Sequence, residues 1–328
     1  MLETMIGTGG ITMSGVLRDK KAYAAFLLPA LLFYLFSVFY PIEESIRLSF
    51  MKWGGLGPKK FVGLRNYIKL FQDDVFYTAF FNNLIYLVIV VSMQLLIGLL
   101  FAVLLTYLTR GVTLIKTLYY VPCIITTVAV TQLFRSMYAT QPEGIINKVL
   151  KVIGLGSLAT SWLTNVKTVL ACVSIPEGWR YTGMYMVIFY AALISLDPEV
   201  TEAARMDGAN AWQLLTRIKL PMIKEVLLLT LTMVLTGALR GFDIPYILTN
   251  GGPGNVSELM STYMYKKAFG SNQFGYGSAI AVFIILESML VVGILNQLFT
   301  TKEEREERKI MRMRRQAMRE KRKAGGRS

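Results

Sequence analysis

Polar and apolar residues come in blocks along this chain. Residues 22–42, AYAAFLLPALLFYLFSVFYPI, hold no charged side chain, and neither do 84–108, LIYLVIVVSMQLLIGLLFAVLLTYL, or 117–134. Three more apolar runs occupy roughly 168–196, 226–248 and 278–300. An uncharged apolar run of about 20 residues crosses the hydrocarbon core of a bilayer as a helix. The blocks therefore predict six transmembrane helices in an all-α integral membrane protein. The first run is too long for a signal-peptide core and has no small-residue cleavage site after it, so it reads as the first permanent span.

The segments between the runs predict smaller elements. Within 43–78, WGGLGP reads as a loop and NYIKLF as a short amphipathic helix near one membrane surface. A tight turn is expected at Arg110–Gly111 and a loop with one short helix at 138–165. The segment 249–277, TNGGPGNVSELMSTYMYKKAFGSNQFGYG, reads as a glycine-rich loop. Residues 202–221, EAARMDGANAWQLLTRIKLP, carry a sharper pattern. Asp197 followed by Pro198 is a helix start, with the aspartate capping and the proline at the first helical position. Gly208 breaks that helix, because glycine accepts a positive φ. Asn210 caps a second helix, on which Trp212, Leu215 and Lys219 share a face, and Pro221 ends it. The prediction is a helix–turn–helix elbow between the fourth and fifth spans.

Composition narrows the class. The chain of 328 residues is 54% hydrophobic and 17% charged, with no histidine and two cysteines. Cys123 and Cys172 both fall in apolar runs, so they form neither a disulfide framework nor a metal spacing. Without histidine there is no His-based zinc site, catalytic triad or proton relay. No GxxxxGK[ST] phosphate loop is present. The chain is expected to be non-catalytic, with no metal.

Charge sets the orientation. Lys and Arg number 21 on the side holding the termini and the elbow and 11 on the other, six of those in 43–78. The bias places both termini in the cytoplasm. The organisation expected is an N-terminal cytoplasmic segment 1–21, a six-helix transmembrane domain 22–300 with its elbow at 197–224, and a basic tail 301–328. The tail, with 12 basic and 5 acidic residues, holds half of the formal net charge of +14. It reads either as a solvated topology anchor or as an electrostatic attachment to anionic lipid on the inner face, and not as a nucleic-acid binder, since no aromatic residues interleave the charge.

The elbow sequence resembles the EAA motif of membrane subunits of ATP-binding-cassette importers: EAA, glycine six residues after the glutamate, nine residues, then I-x-L-P. Glu202, Ala203, Ala204, Gly208, Ile218, Leu220 and Pro221 match in type and spacing, with Asp207 and Ala209 in the common DGA form. LTNGGPGN followed by YMYKKAFGSNQFGYGSAIAV, and FVGLRNYIKLFQDDVF ahead of the second span, are similar to carbohydrate permeases of the maltose-permease type. The resemblance implies a type I importer fold in a bacterial cell membrane and the role of MalF-like partner in a heterodimer with a second, MalG-like permease. It further implies two ATP-binding-cassette subunits that bind ATP and magnesium, an extracytoplasmic solute-binding protein, and a sugar or oligosaccharide as solute. The elbow would then be the coupling helix, and Gly251, Gly252 and Pro253 would belong to a loop facing the binding protein. A polyol or glycerophosphodiester is the alternative solute.

The charged residues inside the spans mark a path. Glu177 and Arg180 lie in the fourth run, Arg240 and Asp243 in the fifth and Glu287 in the sixth. A charge in hydrocarbon costs a few kcal/mol, so such groups face a partner or a wet cavity. Arg240 with Asp243, and Glu177 with Arg180, are spaced for ion pairs within a helix. Trp179, Tyr181 and Tyr185 add rings and hydroxyls of the kind a sugar's C–H faces and hydroxyls match. By the resemblance, Thr127, Glu177, Arg180 and Tyr181 fall near the path. An ion-coupled secondary transporter is the remote alternative, disfavoured because every charged span is in the second half and no inverted repeat is visible.

Overall fold

Lipid offers a backbone no hydrogen-bond partners, so the charge-free runs satisfy theirs internally as helices. A computed structural model describes residues 20–299 together with 310, 311 and 313. Residues 1–19 and nearly all of the expected basic tail lie outside the described residues.

Helix α1 joins Lys20–Tyr34, Leu35–Phe39 and Tyr40–Ser49 end to end, the middle piece wound as a wider π turn. It continues past 42, where the apolar run stops, because hydropathy marks the edge of the hydrocarbon and not the end of a helix. Two-residue strands, β1 (Met51–Lys52) and β2 (Lys60–Phe61), then pair antiparallel around the WGGLGP loop. They are the one departure from an all-α fold among the described residues. The predicted amphipathic helix is α2 (Arg65–Leu70). Helix α3 (Asp74–Leu105) begins ten residues ahead of the second run, on an Asp73 cap whose carboxylate accepts from the Val75 amide at 3.1 Å.

The third run is not one straight helix. It divides into α4 (Val112–Ile124) and α5 (Thr127–Tyr138), which meet at 97°. Pro122 weakens the end of α4, Ile125 and Thr126 are extended, and the Thr126 hydroxyl caps the restart. Gly111, at φ +77°, makes the predicted turn ahead of α4. Helix α6 (Ile145–Val152) sits in the following loop, and α7 (Val169–Ile194) is the fourth span.

Helix α8 (Pro198–Met206) leaves α7 at 71°. Helix α9 runs through Ala211–Gln213, Leu214–Lys219 and Leu220–Met222, so it ends at Met222 and not at Pro221. The π winding of Leu214–Lys219 absorbs the proline's missing donor. The fifth span is interrupted: α10 (Lys224–Leu239) stops, 240–242 are non-helical, and α11 (Asp243–Thr249) resumes. Helix α12 (Met260–Tyr265) gives the predicted glycine-rich loop a helix of its own, and α13 (Phe274–Phe299) is the last span. Taken by length and composition, the helices supply four membrane spans, or six with the bent pairs α4–α5 and α7–α8 each counted as one.

The core lies where α3, α7 and α10 meet, around Tyr86, Val90, Met186, Phe189, Val234 and Ala238. Close approach depends on glycine: a Cβ on Gly183 would lie 1.8 Å from the Tyr119 carbonyl oxygen of α4. Helix α1 packs along α13 and leaves its apolar side chains exposed, as a helix bathed in lipid can.

Candidate functional site

The two helix interruptions face each other across a cavity of about 300 Å³ between α3, α5, α7, α10 and α11. Thr127, Glu177, Arg180, Tyr181, Arg240 and Asp243 all line it. Glu287, on α13, does not.

An interrupted helix leaves carbonyls that need partners. The Arg180 guanidinium donates to the freed Ile125 carbonyl at 3.2 Å and to the Thr127 hydroxyl at 2.6 Å. At the second break the Leu239 carbonyl accepts from the Asn83 amide at 3.5 Å, and the Gly241 carbonyl accepts from Ser261. The interruptions are therefore built into the packing. Gly241 is required there, because a Cβ would come within 2.8 Å of the Tyr86 ring.

The expected ion pairs are absent. Neither Glu177 with Arg180 nor Arg240 with Asp243 is among the ion pairs of the described residues. Arg180 is drawn to α5 instead and lies over the Tyr181 ring, 5.0 Å from its centroid. Arg240 and Asp243 sit on opposite sides of a non-helical stretch, which removes the helical spacing that a pair needs. Both are exposed to the cavity.

Sequence reasoning missed the contribution of α3. Tyr86, wholly buried, lines the cavity with a hydroxyl that has no partner, and the Arg180 Nε is likewise unpartnered. Gln94, in the π turn of α3, donates to the Glu177 carbonyl at 3.0 Å and lines the same space. The only hint was a few polar residues in a strongly apolar run. Two buried polar atoms beside an arginine and a carboxyl group form a surface able to exchange hydrogen bonds with a polyhydroxylated solute.

The elbow folds on local signals. Asp197 accepts from the Glu199 amide at 2.9 Å, Gly208 takes φ +84°, and Asn210 and Gln213 form a reciprocal capping box at 2.9 and 3.0 Å. Glu202, Ala203, Asp207, Gly208 and Pro221 are exposed, while Ala204, Ala209, Ile218 and Leu220 are half-buried. On α9 Leu214 is buried, Leu215 and Lys219 are half-buried and Trp212 stands 72% exposed. Burial, followed by repulsion from Arg205, lowers the Lys219 ammonium pKa from its ordinary value.

The loop after α11 is a built structure. Glu258, wholly buried, accepts from Thr262 at 2.6 Å and from Lys266 at 2.5 Å, and Lys266 also donates to the Asn250 carbonyl at 2.6 Å. Asn82 of α3 donates to the carbonyls of Val256 and Glu258 at 2.7 and 3.0 Å. Gly251, at φ +73°, is buried against the Glu258 carboxylate, so of the three predicted loop residues Gly252 and Pro253 are the ones that reach the surface.

Residues 94–304 match the family described as binding-protein-dependent transport system inner membrane component. The chain is 37% identical over 291 residues to the probable ABC transporter permease protein YurN of Bacillus subtilis (strain 168), covering 88% of this chain and 99% of that one. It is 32% identical over 282 residues to the lactose transport system permease protein LacF of Rhizobium radiobacter, covering 85% and 93%. Among solved structures, a bacterial ABC transporter involved in the import of the acidic polysaccharide alginate superposes with a TM-score of 0.74 at 24% identity, covering 87% of this chain and 96% of that one. That last likeness is one of fold.

Proposed function

The chain belongs to the family of binding-protein-dependent transport system inner membrane components, and from that premise we propose that it is the MalF-like permease half of an ATP-driven importer for a sugar or oligosaccharide. The observation that carries the reading is the single cavity at the two helix interruptions, lined by charged, amide and phenolic groups inside an apolar bundle. Two arginines and two carboxyl groups line it, so neither sign dominates, which suits a neutral polyhydroxylated solute better than an anionic glycerophosphodiester. The relative LacF, a lactose permease by name, supports the same solute class.

In this reading the chain performs no chemistry. An extracytoplasmic binding protein delivers the solute to the loop carrying Gly252 and Pro253. A second, MalG-like permease completes the pathway. Two ATPase subunits bind ATP and magnesium, and the elbow docks on them from the cytoplasmic side through Glu202, Ala203, Ala204 and the DGA turn. ATP-driven closure of those subunits moves α8 and α9. Because α8 joins α7 and α9 joins α10, the movement reaches two of the helices that wall the cavity. Both termini lie in the cytoplasm.

The test is to tag the chain, extract it gently from its native membrane and identify the co-purifying proteins by mass spectrometry. An ATPase, a second EAA-bearing permease and a solute-binding protein are expected. Recovery of the chain alone, from membranes that transport the solute, contradicts the proposal.

A further inference from the structure

A second cavity, of about 430 Å³, lies at the opposite end of the spans from the elbow, between the β1–β2 hairpin, α2 and the start of α13. Lys52, Arg65 and Lys69 line it, with Asn66, Asn272 and Gln273, and no carboxylate does. All three cations are exposed, and none belongs to an ion pair among the described residues. Lys69 is held by neutral groups, the Gln273 amide oxygen at 3.1 Å and the Tyr276 ring at 4.6 Å. We propose that this cavity binds the phosphodiester headgroup of an anionic phospholipid.

Its walls are fixed before any ligand arrives. Asn66 donates to the carbonyls of Ser49 and Met51 at 2.8 and 2.9 Å, tying α2 to the end of α1. Trp53 packs against Phe274 at 5.2 Å, and Gly275 lies so close to the Met51 carbonyl that a Cβ would come within 1.9 Å. The cations therefore converge without loop rearrangement.

Depth selects the ligand. The lining comes from residues just beyond the end of α1, just ahead of α3 and at the first turn of α13. Those are the ends of three spans, where lipid phosphates sit. Helix α2 agrees with that placement. Arg65 and Lys69, four apart, point to the cavity, while Leu64, Ile68 and Phe71 form an adjacent stripe of exposed apolar side chains. A helix with one stripe wanting apolar surroundings and the next wanting anions lies in the interface plane. A phosphodiester supplies the charge and a planar pair of oxygens for the Arg65 fork, with the lysines as point charges beside it. The acyl chains continue past the apolar stripe. The site also gives a use to three of the six Lys and Arg in 43–78, which run against the charge bias that orients the chain.

The test uses the whole assembly with its partner subunits, solubilised and supplied with phosphatidylglycerol or phosphatidylcholine, and native mass spectrometry to count the lipid retained. The wild type is expected to retain phosphatidylglycerol over phosphatidylcholine, and the triple variant Lys52→Gln, Arg65→Gln, Lys69→Gln to lose that preference by about tenfold or more at low salt. The charge-keeping variant Lys52→Arg, Arg65→Lys, Lys69→Arg retains the lipid, and this decides the matter should the triple glutamine variant not assemble. Equal retention of the two lipids by the wild type, or of phosphatidylglycerol by the wild type and the glutamine variant, overturns the proposal. Displacement of the lipid by millimolar inorganic phosphate assigns the cavity to a free anion and overturns the lipid. A glutamine variant that keeps its lipid but no longer captures the solute-binding protein assigns the cavity to protein docking, with the same consequence.

Discussion

Arg180 of α7 donates to the Thr127 hydroxyl at 2.6 Å, across the point where the third span turns by 97°. One guanidinium thus satisfies the first residue of α5, takes up the Ile125 carbonyl that the break leaves free, and walls the cavity. In the proposed reading that one side chain serves both the fold and transport, so both should respond when it is changed.

Replacing Thr127 with Val removes the acceptor while keeping the shape. A hydrogen bond from a charged donor is worth about 2 kcal/mol, so the extracted chain should unfold at a lower temperature and solute uptake should fall. Arg180→Lys is not conservative here, because an ammonium cannot reach both acceptors with a fixed fork. Its uptake should fall as far as that of the Thr127 variant. Thermal melts and uptake in proteoliposomes check both.

Two glycines in helices should behave oppositely. Gly183→Ala puts a methyl 1.8 Å from the Tyr119 carbonyl, and backbone cannot yield as a side chain can. The expected cost is about 2–3 kcal/mol, with α4 and α7 pushed apart. Gly293 has nothing within 4 Å of a built Cβ, so Gly293→Ala should be neutral or gain up to about 1 kcal/mol from helix propensity. Comparative thermal unfolding separates the two.

At the elbow, transport and stability should part company. Glu202 is exposed, so Glu202→Ala should alter stability by no more than about 0.5 kcal/mol. Gly208→Ala strains a residue at φ +84° in open space, a local cost of about 1–2 kcal/mol. Both variants should assemble their spans and still lose ATP-dependent uptake. Wild-type uptake in both would remove the elbow from the mechanism.

Asp73 predicts an acid-side weakening. Burial works to raise its carboxyl, but the Tyr263 and Tyr276 hydroxyls and the Phe76 and Val75 amides outweigh it and hold the group below its ordinary range. A lowered folded value means that its contribution is complete above the unfolded value of about 3.9 and is lost as pH falls through the folded one. Melting temperatures should therefore drop below about pH 4 in the wild type, and less steeply in Asp73→Asn. An equal slope in the two would contradict this role.

These predictions draw on features of unequal visibility in the sequence. The elbow was legible because its determinants are local: Asp197, Gly208, Asn210 and Gln213 each act within three residues. The interruptions were not. Pro122 lies next to a break, yet Pro176 sits inside the unbroken α7, so proline alone marks nothing. The break after Leu239 depends on Asn83, Ser261 and the Tyr86 ring, residues distant in sequence that satisfy or fill the gap left by the missing helical turn. For the same reason the six charged and polar residues expected along a path could be named from sequence, while Tyr86 and Gln94 could not. A buried hydroxyl without a partner is a property of the packed bundle.

The most direct test of the central claim reconstitutes the co-purified assembly in proteoliposomes and follows entry of a radiolabelled oligosaccharide that its binding protein retains. Uptake should require both ATP and the binding protein, survive collapse of the proton and sodium gradients, and fall sharply in Glu202→Ala. Uptake that continues without ATP and stops when the ion gradients are collapsed would contradict the account.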